Sequence, residues 1–349
     1  MRNIRWFSTG ESGPAMSLAP WKPVVFCAAT VPQFTLSASN AIVETLVHVP
    51  ALDGYSLGAT IYAPVGVPEP LTAALFSCGG SVPAARYARF ARFMAANGVP
   101  VLVYDYRGIG ASRPPTLRGF RAVHEDWSEL DCGGAIEYLR SLYPRAELIG
   151  MAHSIGTLLV GGAPNVAEIS RFVFICAHTG YYRDYMPKYR MPMAVLWHGV
   201  MPLLTRVIGY FPAQILGFGE DIPAGIARQW AARRTPEFRP EATEPDATRA
   251  RAMISRYQHV TGPVLVVGFT DDAFATRAGT RRLLEAFPRL RAQMLVIAPE
   301  QVGMAKIGHF GFLRGASEVA LWPILLAFLR DGRSSNALGI DATPPSCST

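Results

Sequence analysis

Cysteine is scarce in this 349-residue chain: Cys27, Cys78, Cys132, Cys176 and Cys347 are all there are. No pair has metal-ligand spacing, and an odd, irregular set gives no disulfide framework. That argues against a small secreted scaffold and leads us to expect a reducing compartment, the cytoplasm. Charge is also thin, at 17% of residues, with a formal net charge of +7. The arginines are scattered, with only small groups at Arg233-Arg234 and Arg281-Arg282. Without a basic block or a nucleic-acid motif, no nucleic-acid partner is expected. Long apolar runs are missing too. The longest uncharged stretch, Met191 to Thr205, is bounded by Arg190 and Arg206 and broken by Pro192, His198 and Pro202. A bilayer span needs about 20 apolar residues. The stretch therefore reads as a cap or core helix, or an interfacial segment, and no stable membrane span is expected. Two arginines precede Glu11 without an apolar run, so the start does not read as a secretory signal.

What the chain does have is apolar bulk, 50% of residues, enough for a sizeable core. Residues 1–38 lack periodicity and read as an arm or tail. A hairpin is expected from Ala41–Val49 and Tyr55–Tyr62, turning at Asp53-Gly54. Short apolar strands and amphipathic helices then alternate: strand Leu71–Ser77, helix Ala84–Asn97, strand Val99–Tyr104, helix Val123–Leu142, strand Leu148–Ala152, helix Ser154 to about Glu168, and strand Phe172–Ala177. Near-continuous apolar strands separated by helices mean a mostly parallel sheet with helices on both faces. From 181 to 260 the alternation stops. This part is rich in Met, Trp, Pro and Arg, contains a loop at Gly217–Pro223 and a helix at Ala224–Arg234, and reads as an inserted, mainly helical cap. The core, 39–180, resumes over 261–331 with strand Val264–Phe269, helix Thr276–Phe287, strand Gln293–Ala298 and helix Ser317–Leu329. Residues 332–349 read as a disordered tail.

The chemistry centres on Glu147-Leu148-Ile149-Gly150-Met151-Ala152-His153-Ser154-Ile155-Gly156-Thr157. An apolar strand stops at a serine with small residues two before and two after it, and a helix begins at once. Such a turn exposes the serine oxygen at the sheet top and aims the Ile155 N–H at a developing oxyanion. It is a G-x-S-x-G elbow with Ala152 in the first glycine position; Ser154 as an ordinary helix N-cap is the plainer reading. A serine needs a base, and the base an orienting carboxylate. Strand Val264–Phe269 ends at Asp271-Asp272, and a later loop carries Ile307-Gly308-His309-Phe310-Gly311. Loops after parallel strands open on one edge, so Ser154, Asp271 and His309 would converge there, in the order Ser, Asp, His. Of the two aspartates Asp271, three after Gly268, is favoured, with Asp272 as the alternative. Of the seven histidines, His198 and His259 fall in or beside the cap, His153 is the elbow residue, and His48, His124 and His178 follow no matching pattern, which leaves His309 as the base. Gly80 in the Gly79-Gly80 turn is the second oxyanion donor. Gly79, Trp197 and Trp230 are candidate substrate contacts, although Trp197, Leu203, Leu204, Phe211 and Trp230 could equally be cap core.

These pieces, with Asp105-Tyr106-Arg107-Gly108-Ile109-Gly110-Ala111-Ser112, resemble the α/β-hydrolase superfamily. The resemblance spans roughly residues 40–330 and is nearest to uncharacterised bacterial hydrolases related to serine aminopeptidases and lysophospholipases. It implies an α/β-hydrolase fold, a Ser-His-Asp triad and no cofactor, with the Asp105–Ser112 piece shaping a loop beside the site; the residues themselves give no support for a metal site. The expected activity is a serine hydrolase, esterase or lipase-like, acting on a small-molecule ester or related acyl compound. An acyltransferase or peptidase using the same triad, or a non-catalytic binding protein of this fold, are the alternatives. Glu220 is a candidate acid for a peptidase's substrate amine. Oligomeric state is not legible.

Overall fold

A computed structural model describes residues 41–233 and 247–332. The arm expected over 1–38 and the tail expected over 332–349 therefore lie outside the described residues, apart from Gly332. The main sheet is built from β1 (Ile42–Pro50), β2 (Ser56–Pro64), β3 (Thr72–Ser77), β4 (Val101–Tyr104), β5 (Glu147–His153) and β6 (Ile169–Ile175). A small hairpin of β7 (Tyr210–Phe211) and β8 (Ile222–Pro223) stands apart from it, and β9 (Pro263–Phe269) and β10 (Arg291–Ile297) complete the main sheet. The order is β1-β2-β4-β3-β5-β6-β9-β10, parallel from β4 to β10, with β1 antiparallel to β2 and β2 to β4.

Every residue of β3 and β4 is buried, which requires cover on both sheet faces. Two groups of helices supply it. In the first, α1 (Ala88–Ala96) packs on α10 (Trp322–Asp331), with Phe90 and Phe93 against Trp322. In the second, the π-turn over Asp126–Cys132 that leads into α2 (Gly133–Leu142) packs on α3 (Gly156–Gly161), and its Ser128 hydroxyl donates to the Leu159 carbonyl at 2.7 Å. β1 is the exposed edge, where Glu44 takes a two-pronged bond from Arg92 at 2.6 and 2.8 Å. The helix after the elbow is shorter than expected. It stops at Gly161, with Gly162 as its C-cap, and Pro164 bars its continuation by lacking an N–H and restricting Ala163. β6 consequently starts at Ile169, three residues earlier than the apolar run indicated.

Between β6 and β9 no main-sheet strand occurs among the described residues. α4 (Pro187–Val195) runs through a π-turn at Leu196–Val200 into α5 (Met201–Ile208), giving one 22-residue helix that ends at Gly209, φ +91°. The β7/β8 hairpin, α6 (Ala224–Ala231) and α7 (Ala247–Arg256) follow, and α8 (Arg277–Leu284) and the one-turn α9 (Ser317–Ala320) lie beyond β9.

Register brings the functional loops together. Ser77 pairs with Ala152, His153 with Ile175, Ile175 with Val267, and Phe269 with Ile297. Strands β3, β5, β6 and β9 therefore end nearly level, and the residues that follow them share one edge. The three non-glycine residues with positive φ, among those described, are all there: Ser81 (+57°), Ser154 (+57°) and Cys176 (+51°). Left-handed backbone at such residues costs on the order of 1–3 kcal/mol each and clusters at functional sites.

The Asp105–Ser112 loop is held by its own polar groups. Asp105 accepts the Ala84 N–H at 2.6 Å and the Ala111 N–H at 2.8 Å. Ser112 donates to the Asp105 carbonyl and accepts the Gly58 N–H. Arg107 forks onto Asp53 at 2.8 Å and bonds buried Asp131 at 2.7 Å. The loop's polar side chains are thus occupied in shaping it, as the resemblance implied.

Candidate active site

Ser154 stands one residue past β5, its N–H donating to the Ile175 carbonyl at 2.9 Å and its backbone left-handed. The turn is this tight because Gly156 passes against the end of β3. A Cβ there would lie 2.4 Å from the Cys78 carbonyl oxygen and 2.6 Å from that of Ser77, both backbone atoms that cannot step aside. Ala152, fully buried between Ser77 and Phe174 in the sheet, shows that a methyl fits at the other small position.

The Ser154 hydroxyl touches two imidazoles. His309 Nε2 lies 3.1 Å from Ser154 Oγ, and His309 Nδ1 lies 2.8 Å from Asp272 Oδ2. The carboxylate facing His309 is therefore Asp272, not the favoured Asp271. Asp271 points the other way and accepts the Ile307 and Gly308 N–H groups at 2.9 Å each, anchoring the loop that carries His309. Asp272 is buried, and its Oδ1 accepts the N–H groups of Phe274 (2.8 Å) and Ala275 (3.0 Å). Burial alone would push its carboxyl up. The His309 ring and these two donors outweigh that and hold it well below the usual carboxylate range.

The second imidazole, His178, has Nε2 3.1 Å from Ser154 Oγ. It is not among the residues singled out by the sequence. Its Nδ1 accepts the Gly180 N–H at 3.0 Å, so the proton must sit on Nε2, which donates to the serine oxygen. Burial, reinforced by His309 beside it, pushes His178 down to about 3. It stands there as a neutral donor to the Ser154 oxygen. His309 has the opposite arrangement: Asp272 keeps the proton on Nδ1 and leaves Nε2 free to accept from Ser154. A signal for His178 existed, since it follows β6 by three residues on the same edge.

Behind the serine, His153 holds two loops. Its Nε2–H donates to the His309 carbonyl at 3.0 Å, and its Nδ1 accepts from the Tyr87 hydroxyl at 2.8 Å. Tyr87 in turn accepts the Gly79 N–H at 2.8 Å. The Gly79 N–H is thus committed to Tyr87, although Gly79 does border the cavity. A Cβ on Gly79 would sit 2.9 Å from His153 Nδ1. The backbone N–H groups of Gly80 and Ile155, by contrast, carry no hydrogen bond among the described residues.

The cavity over Ser154 has a volume of about 660 Å³, and Trp197, Trp230, Met193 and Phe218 line it with His178 and His309. The structure thus brings Trp197 and Trp230 to the serine. Phe211 is core, and Leu203 faces outward. Glu220 borders the same cavity but faces Arg113 at 3.8 Å. One group of potential metal ligands occurs among the described residues, His153, Cys176 and His309, with donor atoms within 4.8 Å. All four imidazole nitrogens are already bonded within the protein, and burial pushes the Cys176 thiol well up, away from the thiolate a metal needs.

A family model described as "Alpha/beta hydrolase family" matches residues 54–320. The chain belongs to this family. No curated protein matches it. Among solved structures, the α/β-hydrolase fold recurs at low identity. DcsB in complex with its substrate analogue is 16% identical, with TM-score 0.57 over 83% of this chain and 100% of that one. The Pyrococcus furiosus esterase Pf2001 is 14% identical, TM-score 0.51, over 88% and 95%. Est1E from Butyrivibrio proteoclasticus, bound to ferulic acid, is 13% identical, TM-score 0.51, over 81% and 99%. At such identities these likenesses speak for the α/β-hydrolase fold and not for a substrate.

Proposed function

We propose that this hydrolase cleaves carboxylic esters through an acyl-enzyme on Ser154. The observation that carries the reading is the fixed pair of tautomers around Ser154 Oγ: His309 Nε2 accepts and His178 Nε2–H donates. Ser154 attacks the carbonyl carbon while His309 takes its proton, and Asp272 stabilises the imidazolium. The N–H groups of Ile155 and Gly80 receive the oxyanion. His309 then protonates the leaving alcohol, and a water deprotonated by His309 releases the acid. His178 holds Ser154 Oγ in line and donates to it while negative charge develops.

The cavity volume falls in the range of small-molecule sites, roughly 300–1,000 Å³. Its Trp197, Trp230, Met193 and Phe218 walls favour an apolar acyl group, with the segment between β6 and β9 acting as the cap. The Arg113 partner of Glu220 competes with any substrate amine, which weighs against a peptidase.

The test is labelling with a fluorophosphonate probe, comparing wild type, Ser154→Ala and His309→Ala, native and heat-denatured. The expected result is labelling of native wild type alone, followed by turnover of an ester series of graded acyl length. A folded wild type that takes up no probe and turns over no ester overturns the reading.

A further inference from the structure

We propose that the outer face of the Pro187–Ile208 helix, with the Ile215–Phe218 loop, docks this protein flat on an anionic lipid surface beside the mouth of the Ser154 cavity. The helix is apolar on two sides. Its inner side buries Met193, Leu196 and Met201. Its outer side leaves Met191, Val195, Leu203 and Val207 exposed by 68, 58, 61 and 68%, with Gly199 completing a spacing of four. A surface helix normally turns its polar side outward, and one apolar all round is normally buried. Here only 22% of the most apolar window, mean hydropathy 1.3, is buried. From Met191 to Val207 the stripe runs about 24 Å at the helical rise per residue. The loop after β7 extends it with exposed Ile215, Leu216 and Phe218.

Charge selects the occupant. Between Asp184 and Glu220 the chain has no acidic residue. The exposed Lys188 and Arg190 stand at one end of the stripe and Arg206 at the other. A second copy laid on this face, in either direction, would set cation against cation with no carboxylate from the helix itself between them. Anionic headgroups meet both cationic ends while the acyl region takes the apolar stripe. Because the inner side is committed to the protein, the helix lies in the plane of the surface and does not cross it.

Position gives the docking a purpose. Met193 and Trp197 of this helix, and Phe218 of the loop, line the cavity that holds Ser154, and the Trp197 and Phe218 rings stand 6.4 Å apart. A lipid acyl chain would reach the cavity past the docked rim. This use rests on the ester-hydrolase reading; the docking itself does not.

The experiment is co-sedimentation of the full chain with vesicles of phosphatidylcholine alone and of phosphatidylcholine mixed with phosphatidylglycerol. Wild type and Ser154→Ala are expected to bind the mixed vesicles equally, and several-fold more weakly when salt is raised from about 0.1 to about 0.5 M. Val195→Asp/Leu203→Asp is expected to lower partitioning at least about tenfold, and Lys188→Glu/Arg206→Glu by a similar factor. Turnover of a short soluble ester, the check on folding, stays unchanged in both double variants. Wild type that ignores anionic vesicles overturns the proposal, as does unchanged binding by Val195→Asp/Leu203→Asp. A wild-type dimer that this variant splits, without vesicle binding, assigns the face to a second copy instead.

Discussion

In the proposed mechanism, replacing each of the two adjacent aspartates by asparagine separates orientation of His309 from anchoring of its loop. In Asp272→Asn the side-chain oxygen can keep the Phe274 and Ala275 N–H bonds. The new amide then faces His309 Nδ1, 2.8 Å from the present Oδ2, as a donor. His309 must accept it there and carry its proton on Nε2, where it can no longer take the Ser154 proton. Loss of the charge and of the right tautomer is worth a factor of about 10⁴ in kcat, or about 5.4 kcal/mol. Asp271→Asn keeps one of the Ile307 and Gly308 N–H bonds and loses the other. That costs about 1–3 kcal/mol of stability and leaves kcat within about tenfold. The assay is burst and steady-state hydrolysis of a p-nitrophenyl ester by both variants, with urea unfolding beside it. An Asp271→Asn enzyme as slow as Asp272→Asn, or an Asp272→Asn enzyme with most of its activity, refutes the reasoning.

Two further outcomes are expected. His178→Ala removes a neutral N–H donor from Ser154 and should lower kcat about 10- to 100-fold. With His178 pushed down to about 3, the kcat–pH profile between about pH 5 and 9 should keep its apparent pKa, and a lost or displaced limb would make His178 a titrating participant. Asp105 is nearly fully buried, and burial, against the pull of its Ala84 and Ala111 donors, pushes it from 3.8 up to about 6. Its folded form holds a proton that the unfolded chain releases, so its contribution to stability falls as pH rises from about 4 to about 6, by ~3 kcal/mol. Urea unfolding of wild type against Asp105→Asn should show that difference narrowing or reversing across the window, and a pH-independent difference would contradict it.

The sheet was legible because parallel strands buried on both faces must be apolar throughout, and runs such as Leu71–Ser77 and Val264–Phe269 could be little else. The elbow was legible because its constraint is steric and local: Gly156 lies against the Ser77 and Cys78 carbonyls, and only the smallest residue passes. Tyr87 was not legible. Its bonds to Gly79 and His153 join residues 8 and 66 positions away, and nothing local in a buried aromatic on a helical face announces a polar partner. Asp271 and Asp272 were undecidable for a different reason. Both accept backbone N–H groups that fix loops at the same edge, and the turn closed by the Asp272 N–H on the Phe269 carbonyl decides which carboxylate points at the ring.

His178 marks a deeper boundary. The rule that found Ser154 and His309, chemistry carried on loops that open at one sheet edge, applied to it equally, and two histidines meet one hydroxyl at the same 3.1 Å. What separates them is the far nitrogen. His309 finds a carboxylate there and so presents an acceptor to Ser154; His178 finds a backbone N–H and so presents a donor. The partner at that nitrogen is supplied by chain geometry, the Gly180 turn in one case and the Asp272 turn in the other. A sequence pattern can bring an imidazole to the serine. Whether it arrives as base or as donor is decided one atom beyond the reach of the pattern, and in a serine site that is the difference between activating the hydroxyl and holding it.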